Sequence, residues 1–198
     1  PGPRHGRLLV PAIHNLFVSA GIRPSDLGAI AVSVGPGSFT GLRVGVTAAK
    51  VLAYAVGCPV IPLSSLEVLA RNAPPNALHV VPALDAQRGD LFSAPFRRDQ
   101  PAGHLVRVAD DQIIPAASWV RDLPPGAFVL CPTPDRIAAE IPEPARIGPL
   151  ELAHPQGEVL LMMAAEAIHA GLLSDPWTLE PFYLRRSAAE EKRDPLLP

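Results

Sequence analysis

Residues 33–50, SVGPGSFTGLRVGVTAAK, carry the chain from a β-branched apolar strand into a helix through a turn built on glycine. Gly37, Gly41 and Gly45 recur there every four residues. Glycine permits the sharp reversal that a tight strand-to-helix turn needs, with Ser38 or Thr40 as the helix cap. The same loop could cradle an anion, because the free N–H groups of a helix start attract phosphate and glycine lets it approach. The stretch is neither a G-x-x-x-x-G-K-[ST] loop nor a clean G-x-G-x-x-G turn with the acidic residue of a dinucleotide unit. The tight-turn reading is therefore the stronger one. Gly37, Ser38 and Thr40 stand as candidate phosphate or RNA contacts.

The pattern on either side is α/β. RLLVPAIHNLFVSAGI predicts a helix over Leu8–Ala20, with Pro11 in its first turn and Gly21 as its stop. AIAVSVG predicts a buried strand, and the helix after the glycine turn runs over Leu42–Val56 to Gly57. PVIPL is a strand, and Ser64 or Ser65 caps the helix LEVLARNA. LHVVPALDA and LFSAPFRR form a hairpin around QRGD. Beyond Asp99 the pattern predicts helices at PAASWVRDL, PDRIAAEI and EVLLMMAAEAIHAGLL, a strand at AFVLC, and an irregular tail. Alternating strands and helices with one hairpin give mixed sheets flanked by helices. A boundary is placed near residues 96–104.

The helix after the glycine turn is unusually apolar. Arg43, Thr47, Lys50 and Tyr54 form one narrow polar stripe, and every other residue from Leu42 to Val56 is apolar. A helix lying on its own sheet buries about one face, and this one has apolar surface for almost two. The first helix is similar, with Leu8, Leu9, Ile13, Leu16, Phe17 and Ala20 needing cover. Two such helices side by side would make an apolar patch of the kind that marks an interface. Gly41, Gly45 and Ala49 are small enough for another helix to approach closely. The pattern leaves open whether the chain itself or a second protein covers them.

Composition narrows the class. The chain has 198 residues, 48% hydrophobic and 18% charged, which suits one large or two small globular domains. No purely apolar run reaches the roughly 18 residues of a membrane span, so no membrane partner is expected. Two distant cysteines, Cys58 and Cys131, favour a reducing compartment over a disulfide framework. A formal net charge of −2 means that any nucleic-acid contact is local or made by a partner.

VGPGSFTGLRVGVTAAKVLAYAVGCPVIPLSSLEVLA closely resembles the signature stretch of the bacterial TsaB (YeaZ) family. The likeness extends through HGRLLVPAIHNLFVSAGIRPSDLGAIAV and ALDAQRGDLFSAPFRR, and returns at EPFYLRRSAAEEK. It is strong over residues 5–98, poor in the middle of the second half, and visible again from about 180. The resemblance implies the actin-like, sugar-kinase and heat-shock ATPase fold with ribonuclease H-like lobes. On that plan residues 1–98 form the first lobe, and 99–198 the second lobe and tail. Family members begin with about three strands, one acid-bearing, before the first helix. PGPRHG leads almost directly into the helix here, so the resemblance implies missing N-terminal strands, a truncated first lobe and an exposed sheet edge.

The resemblance also implies a role. The family supplies a non-catalytic subunit that pairs with a TsaD-type transferase and works with a TsaE-type ATPase. The complex moves a threonylcarbamoyl group from threonylcarbamoyl-adenylate to N6 of the adenosine beside the anticodon, in tRNAs reading A-starting codons. Pairing, with the transferase or with a second copy, is made largely by the first two helices. Carried onto this chain, the interface comprises Leu9, Ile13, Leu16, Phe17, Gly41, Leu42, Gly45, Val46, Ala49 and Ala53. No catalytic residue and no cofactor of its own is expected. ATP or ADP would sit at the partner interface, tRNA would be reached through the complex, and the setting is cytoplasmic. The alternative is an independent nucleotide-dependent transferase or kinase on the same fold.

Metal is not expected. The catalytic relative carries an H-x-x-x-H pair at the start of the first helix, where spacing four puts both imidazoles on one face. The matching positions here are His5 and Leu9, and the other histidines are scattered. At the hairpin turn, Arg88 between Asp85 and Asp90 reads either as a partner or tRNA contact or as ordinary turn chemistry with a surface ion pair. Arg185, Arg186, Lys192 and Arg193 make a locally basic tail, interleaved with Glu190, Glu191 and Asp194 and expected to be solvated. No G-x-S-x-G, H-E-x-x-H or Ser/His/Asp set is present.

Overall fold

The apolar strand and the helix after it form as their patterns require. In the computed structural model, which describes residues 5–186, the strand is β1, Ile30–Gly35, and the helix is α2, Phe39–Val56. Along β1, Ile30, Val32 and Val34 pack towards α2, while Ala29 and Ala31 pack on the opposite side of the sheet. The Ser38 hydroxyl accepts the Gly41 N–H at 3.3 Å as N-cap, and Gly57, at φ 75°, ends the helix in a left-handed C-cap. The helix starts at Phe39, a turn earlier than the Leu42 read from sequence, because Ser38 caps it.

Strand β2, Val60–Ser64, pairs in parallel with β1, Ile30 opposite Val60. Ser64 then caps α3, Ser65–Arg71, by accepting the Glu67 N–H. The first helix, α1, spans His5–Ala20 and so places Pro11 in its interior, not in its first turn. At its start Gly6 lies against Val44 of α2, where a Cβ would meet the Val44 methyls at an ordinary contact distance of 3.7 Å. Helix α5, Gly157–His169, covers the other face of the β1–β2 sheet, its Met163 and Ala164 packing against Ile61, Leu63 and Val68. Together these make a small α/β/α sandwich.

The second sheet is mixed. Strand β3, His79–Asp85, pairs antiparallel with β4, Asp90–Ser93, as the predicted hairpin. It also pairs antiparallel with β5, Phe96–Arg97, and in parallel with β8, Phe128–Leu130. Strand β6, Val106–Arg107, flanks β5; β7, Gln112–Pro115, flanks β4; and β9, Arg146–Ile147, flanks β8. Helix α4, Ala116–Arg121, buries Trp119 and Val120 against this sheet. Residue 98 lies between β5 and β6, which pair with each other. The helix read at PDRIAAEI is instead two 3₁₀ turns, Pro134–Arg136 and Ala138–Glu140; Pro134 and the following Pro142 and Pro144 leave too short a run for an α-helix.

By length and composition alone α2 could cross a membrane, with eighteen residues of mean hydropathy 1.2. That differs from the sequence reading, since Arg43 and Lys50 are its only charges. In the fold it lies along β1. Its apolar excess faces away from the sheet.

After α5 the chain returns across α2. Ser174 bridges to Val60, a 3₁₀ turn spans Pro176–Thr178, and Lys50 donates to the Trp177 and Leu179 carbonyls at 3.2 and 2.9 Å. The Phe182 N–H then donates to the Val34 carbonyl at 2.7 Å. Gly35 at φ 135° has no room for a Cβ, which would collide with the Phe182 carbonyl oxygen. This segment is irregular, as expected, but it is tied down along its length.

Candidate functional site

Helix α2 divides into two opposed stripes. Leu42, Val46, Ala49 and Ala53 form the buried stripe, and the last three pack with Cys58, Val60 and Leu179. The interface assignment is corrected at these four positions: they are core of the chain itself, because they face β1 and the returning C-terminal segment. About 200° round the helix lie Val44, Ala48, Val51 and Ala55, with Val51 62% exposed. Gly41 is exposed and Gly45 half-buried, and among the described residues nothing beyond the helix's own backbone and the adjoining residues lies within 4 Å of a Cβ built on Gly45. Among the described residues only Ser38 comes close to Gly41, at 3.4 Å from where a Cβ would lie.

Helix α1 has no fully buried side chain among residues 6–20. Leu9, Ile13 and Phe17, spaced by four, are half-buried on one stripe. Leu16 is 67% exposed and Val18 68%, and Leu8 and Val10 are similarly open. At the far end of α2, Tyr54 meets Trp177 edge-on at 4.9 Å between ring centroids, and both rings are largely exposed. The interface read from sequence did not include Val10, Val18, Val51, Tyr54 or Trp177, all of them exposed. Once the core stripe at 42, 46, 49 and 53 is known, helical spacing places 44, 48 and 51 opposite it, but the sequence alone does not say which apolar stripe is core.

The other candidates converge at the start of α2. Gly37, Ser38 and Phe39 wall one side of a cavity of about 210 Å³. Asp85, Ala86 and Gln87 of the hairpin turn and Tyr183 to Arg186 wall the other. Thr40, at the first turn of α2, is exposed and does not line the cavity. The Phe39 ring lies 4.6 Å from the Tyr183 ring, and the Arg43 guanidinium stacks on Phe39 at 4.5 Å.

Arg88 is exposed in the hairpin turn, where Gln87, Arg88 and Gly89 take φ values of 65°, 56° and 86°. Two consecutive non-glycine residues in left-handed conformation store strain, of order 1–3 kcal/mol each. The turn is held by the Asp85 carboxylate, which accepts the Gln87 N–H at 2.8 Å. Arg185 reinforces it, donating to the Ala86 carbonyl at 2.7 Å, to the Gln87 carbonyl at 3.3 Å and to the Asp90 carboxylate. Arg185 is thus a structural clamp and not a solvated tail residue, because its guanidinium is spent on the carbonyls and carboxylate of that turn. Lys192 and Arg193 lie outside the described residues.

Among the described residues no three His, Cys, Asp or Glu side chains group as a metal site. Burial pushes the Cys58 thiol up, which keeps it a neutral packing group. Arg98 is buried and its guanidinium donates to the Ala77 carbonyl at 2.9 Å and more weakly to those of Ala73 and Pro74. Burial, and then the neighbouring Arg71, lower its pKa.

A family model described as TsaD, tRNA N6-adenosine threonylcarbamoyltransferase, matches residues 2–146. A Bacillus subtilis protein named tRNA threonylcarbamoyladenosine biosynthesis protein TsaB is 38% identical over 119 residues, 60% of this chain and 51% of the relative. The Escherichia coli protein of the same name is 34% identical over 98 residues, 48% of this chain and 42% of the relative. The chain thus spans about half the length of these curated relatives. Among solved structures, YeaZ from Pseudomonas aeruginosa superposes with a TM-score of 0.77 at 27% identity, over 91% of this chain and 84% of that one.

Proposed function

Because this chain belongs to the TsaB/YeaZ family and has its actin-like mixed α/β fold, we propose that it acts in tRNA threonylcarbamoyladenosine synthesis as a non-catalytic partner subunit. In this reading it docks a TsaD-type transferase with the outward faces of α1 and α2, with a TsaE-type ATPase completing the complex. The observation that carries the reading is α1 itself. The helix is rich in Leu, Val, Ile and Phe, and among its described side chains, residues 6–20, none is fully buried. An exposed apolar helix face of this kind is stabilised when another protein covers it.

The interface is accordingly redrawn around Leu8, Leu9, Val10, Ile13, Leu16, Phe17 and Val18 of α1 and Gly45, Val51 and Tyr54 of α2. The chain supplies surface, and the chemistry belongs to the transferase. ATP or ADP, in this reading, sits at the junction with that partner. In this reading a local phosphate or RNA contact falls in the cavity lined by Gly37, Ser38, Arg185 and Arg186, next to the hairpin turn that carries Arg88.

The test is co-purification with the TsaD-type transferase encoded in the same genome. A Leu16→Asp/Val51→Asp double variant should lose pairing by about 100-fold or more, at two interface anchors of about 1–3 kcal/mol each. Its circular dichroism should stay unchanged, because both side chains are exposed. Pairing that survives the double variant overturns the assigned face. ATP turnover by the chain alone overturns the non-catalytic role.

A further inference from the structure

We propose that the cleft between α5 and the segment joining β5 to β6 binds a single carboxylate carried on an apolar body. The cleft has a volume of about 480 Å³. Arg71, Arg98 and His104 line it together with Leu105, Val159 and Met162, and Glu166 is the one carboxylate among the lining residues. Helix α5 lies on the face of the β1–β2 sheet opposite α2, so this site stands or falls independently of the docking role.

Arg98 is the group that calls for a ligand. It is only 9% exposed, and a buried guanidinium is ordinarily paired with a carboxylate, because an unpaired charge is costly to take out of water. This one has neutral partners alone. One terminal nitrogen donates to the Ala77 carbonyl at 2.9 Å and weakly to that of Pro74 at 3.5 Å, and the other donates to that of Ala73 at 3.4 Å. A guanidinium offers five N–H groups, so two of them have no acceptor among the described residues. Asp99, next in the chain, spends its carboxylate on the Gln100 N–H at 2.9 Å. Arg71 adds to the demand. Its terminal nitrogens bond Glu166 at 2.6 Å and Glu67 at 3.2 Å, while its Nε–H is buried without a partner. The wall formed by residues 98–105 is tied down: the Arg98 and Ala102 N–H groups donate to the Leu78 and Pro75 carbonyls, each at 2.8 Å. Ala102 holds a strained φ of 59° there.

Charge and shape select the ligand. Among the lining residues two guanidiniums face one carboxylate, and Glu67, the second partner of Arg71, belongs to the neighbouring groove. One further negative charge completes that balance. A phosphate dianion would instead be held against Glu166 and Glu67 with a charge to spare. A carboxylate also accepts two parallel N–H bonds from one guanidinium. Half-buried Leu105 and Val159 and the exposed Met162 provide a wall for hydrocarbon beside it. A free carboxylic acid and the C-terminal carboxylate of a peptide share this chemistry.

The experiment titrates the isotope-labelled chain with hexanoate, hexanamide and inorganic phosphate, following backbone amides and the Arg98 Nε–H by NMR. Hexanoate should shift the Arg98 Nε–H and the amides of residues 98–105 and 159–166, saturably at millimolar concentration. Hexanamide and phosphate should bind at least about tenfold more weakly. Met162→Asp, at an exposed position, should weaken hexanoate at least about tenfold by facing it with a like charge, with circular dichroism unchanged. Arg98→Lys should weaken it similarly, since an ammonium cannot offer the paired bonds. Arg98 also ties three carbonyls, so Met162→Asp decides if Arg98→Lys fails to fold. Glu166→Gln should tighten phosphate at least about threefold. Acetyl-glycyl-leucine and its C-terminal amide separate the two sources. If the peptide acid binds at least about tenfold more tightly than hexanoate and its amide does not, the carboxylate is a protein C-terminus; otherwise it is a small acid. Four results overturn the site: no saturable shift from either acid, equal shifts from hexanamide, tighter binding of phosphate than of hexanoate to wild type, or Met162→Asp binding hexanoate like wild type. None of them touches the docking of α1 and α2.

Discussion

Lys50 shows how one charge on an apolar helix can fasten a distant segment. Its ammonium holds two carbonyls, those of Trp177 and Leu179, and the Leu179 side chain is buried in the α2 core. Lys50→Met keeps the aliphatic stem and deletes the donors. Two carbonyls then lose their partner, so urea unfolding should show a loss of about 1–3 kcal/mol. Val51→Ala, one residue along and exposed, should change stability by no more than about 0.5 kcal/mol. Equal effects would mean that the Lys50 contacts are incidental. The stripe Arg43, Thr47, Lys50, Tyr54 was legible in the sequence because helical spacing alone defines it. Its separate tasks were not: Arg43 stacks on Phe39, Lys50 reaches across 127 and 129 residues, and Tyr54 meets Trp177. Periodicity sees neighbours on one helix and nothing that arrives from another part of the chain. The same limit hid Gly35, whose missing Cβ is required by Phe182.

At the scale of the element, α1 and α3 are opposites. Helix α3 has only seven residues but buries Ser65, Leu66, Val68, Leu69 and Ala70. Helix α1 has sixteen, contains Pro11, and buries none fully among residues 6–20. Local opening follows buried contact more than length. Amides of α1 should therefore exchange with deuterium at least about 100-fold faster than those of α3, a difference in opening free energy of about 3 kcal/mol. Binding the transferase should slow α1 selectively. Equal protection of α1 and α3 in the isolated chain would show that α1 is already covered, which removes the reason for a partner there. The existence of α1, α2, β1, β2, α3, the hairpin and α5 could be read from pattern and caps. Which face of α2 is core could not be fixed by composition, because both faces are apolar. Position 49 illustrates the consequence: Ala49 suggested a helix–helix contact, yet Ala49→Arg would drive a charge into the core beside Val60 and Leu179.

The two sheets of the molecule are joined through α3, whose Leu66, Leu69 and Ala70 pack with Val80 and Phe96 of the second sheet, and polar ties add to that packing. Arg107 donates to the hydroxyl of Ser64, the α3 cap, at 3.0 Å, and the Ser33 and Ser65 hydroxyls lie 2.7 Å apart. Arg71 bridges Glu67 and Glu166, linking α3 to α5. Arg185 joins the returning C-terminal segment to the strained turn of the β3–β4 hairpin. Apart from Arg71–Glu67, which is an i,i+4 pair on α3, these pairings have no local sequence signature, since each is a meeting of segments that the fold alone brings together. The Arg185–Asp90 pair is about three-quarters buried at both ends, so its loss leaves a carboxylate and two carbonyls without their donor. Arg185→Ala should cost about 1–3 kcal/mol in urea unfolding, and hydrogen exchange should rise in residues 86–90 and 180–186 together. Transferase binding should stay within about twofold of wild type, because the α1–α2 face makes no use of Arg185 and distant sites act independently. Loss of binding with the helices still protected would move the docking surface from the outward faces of α1 and α2 to the cavity at the start of α2.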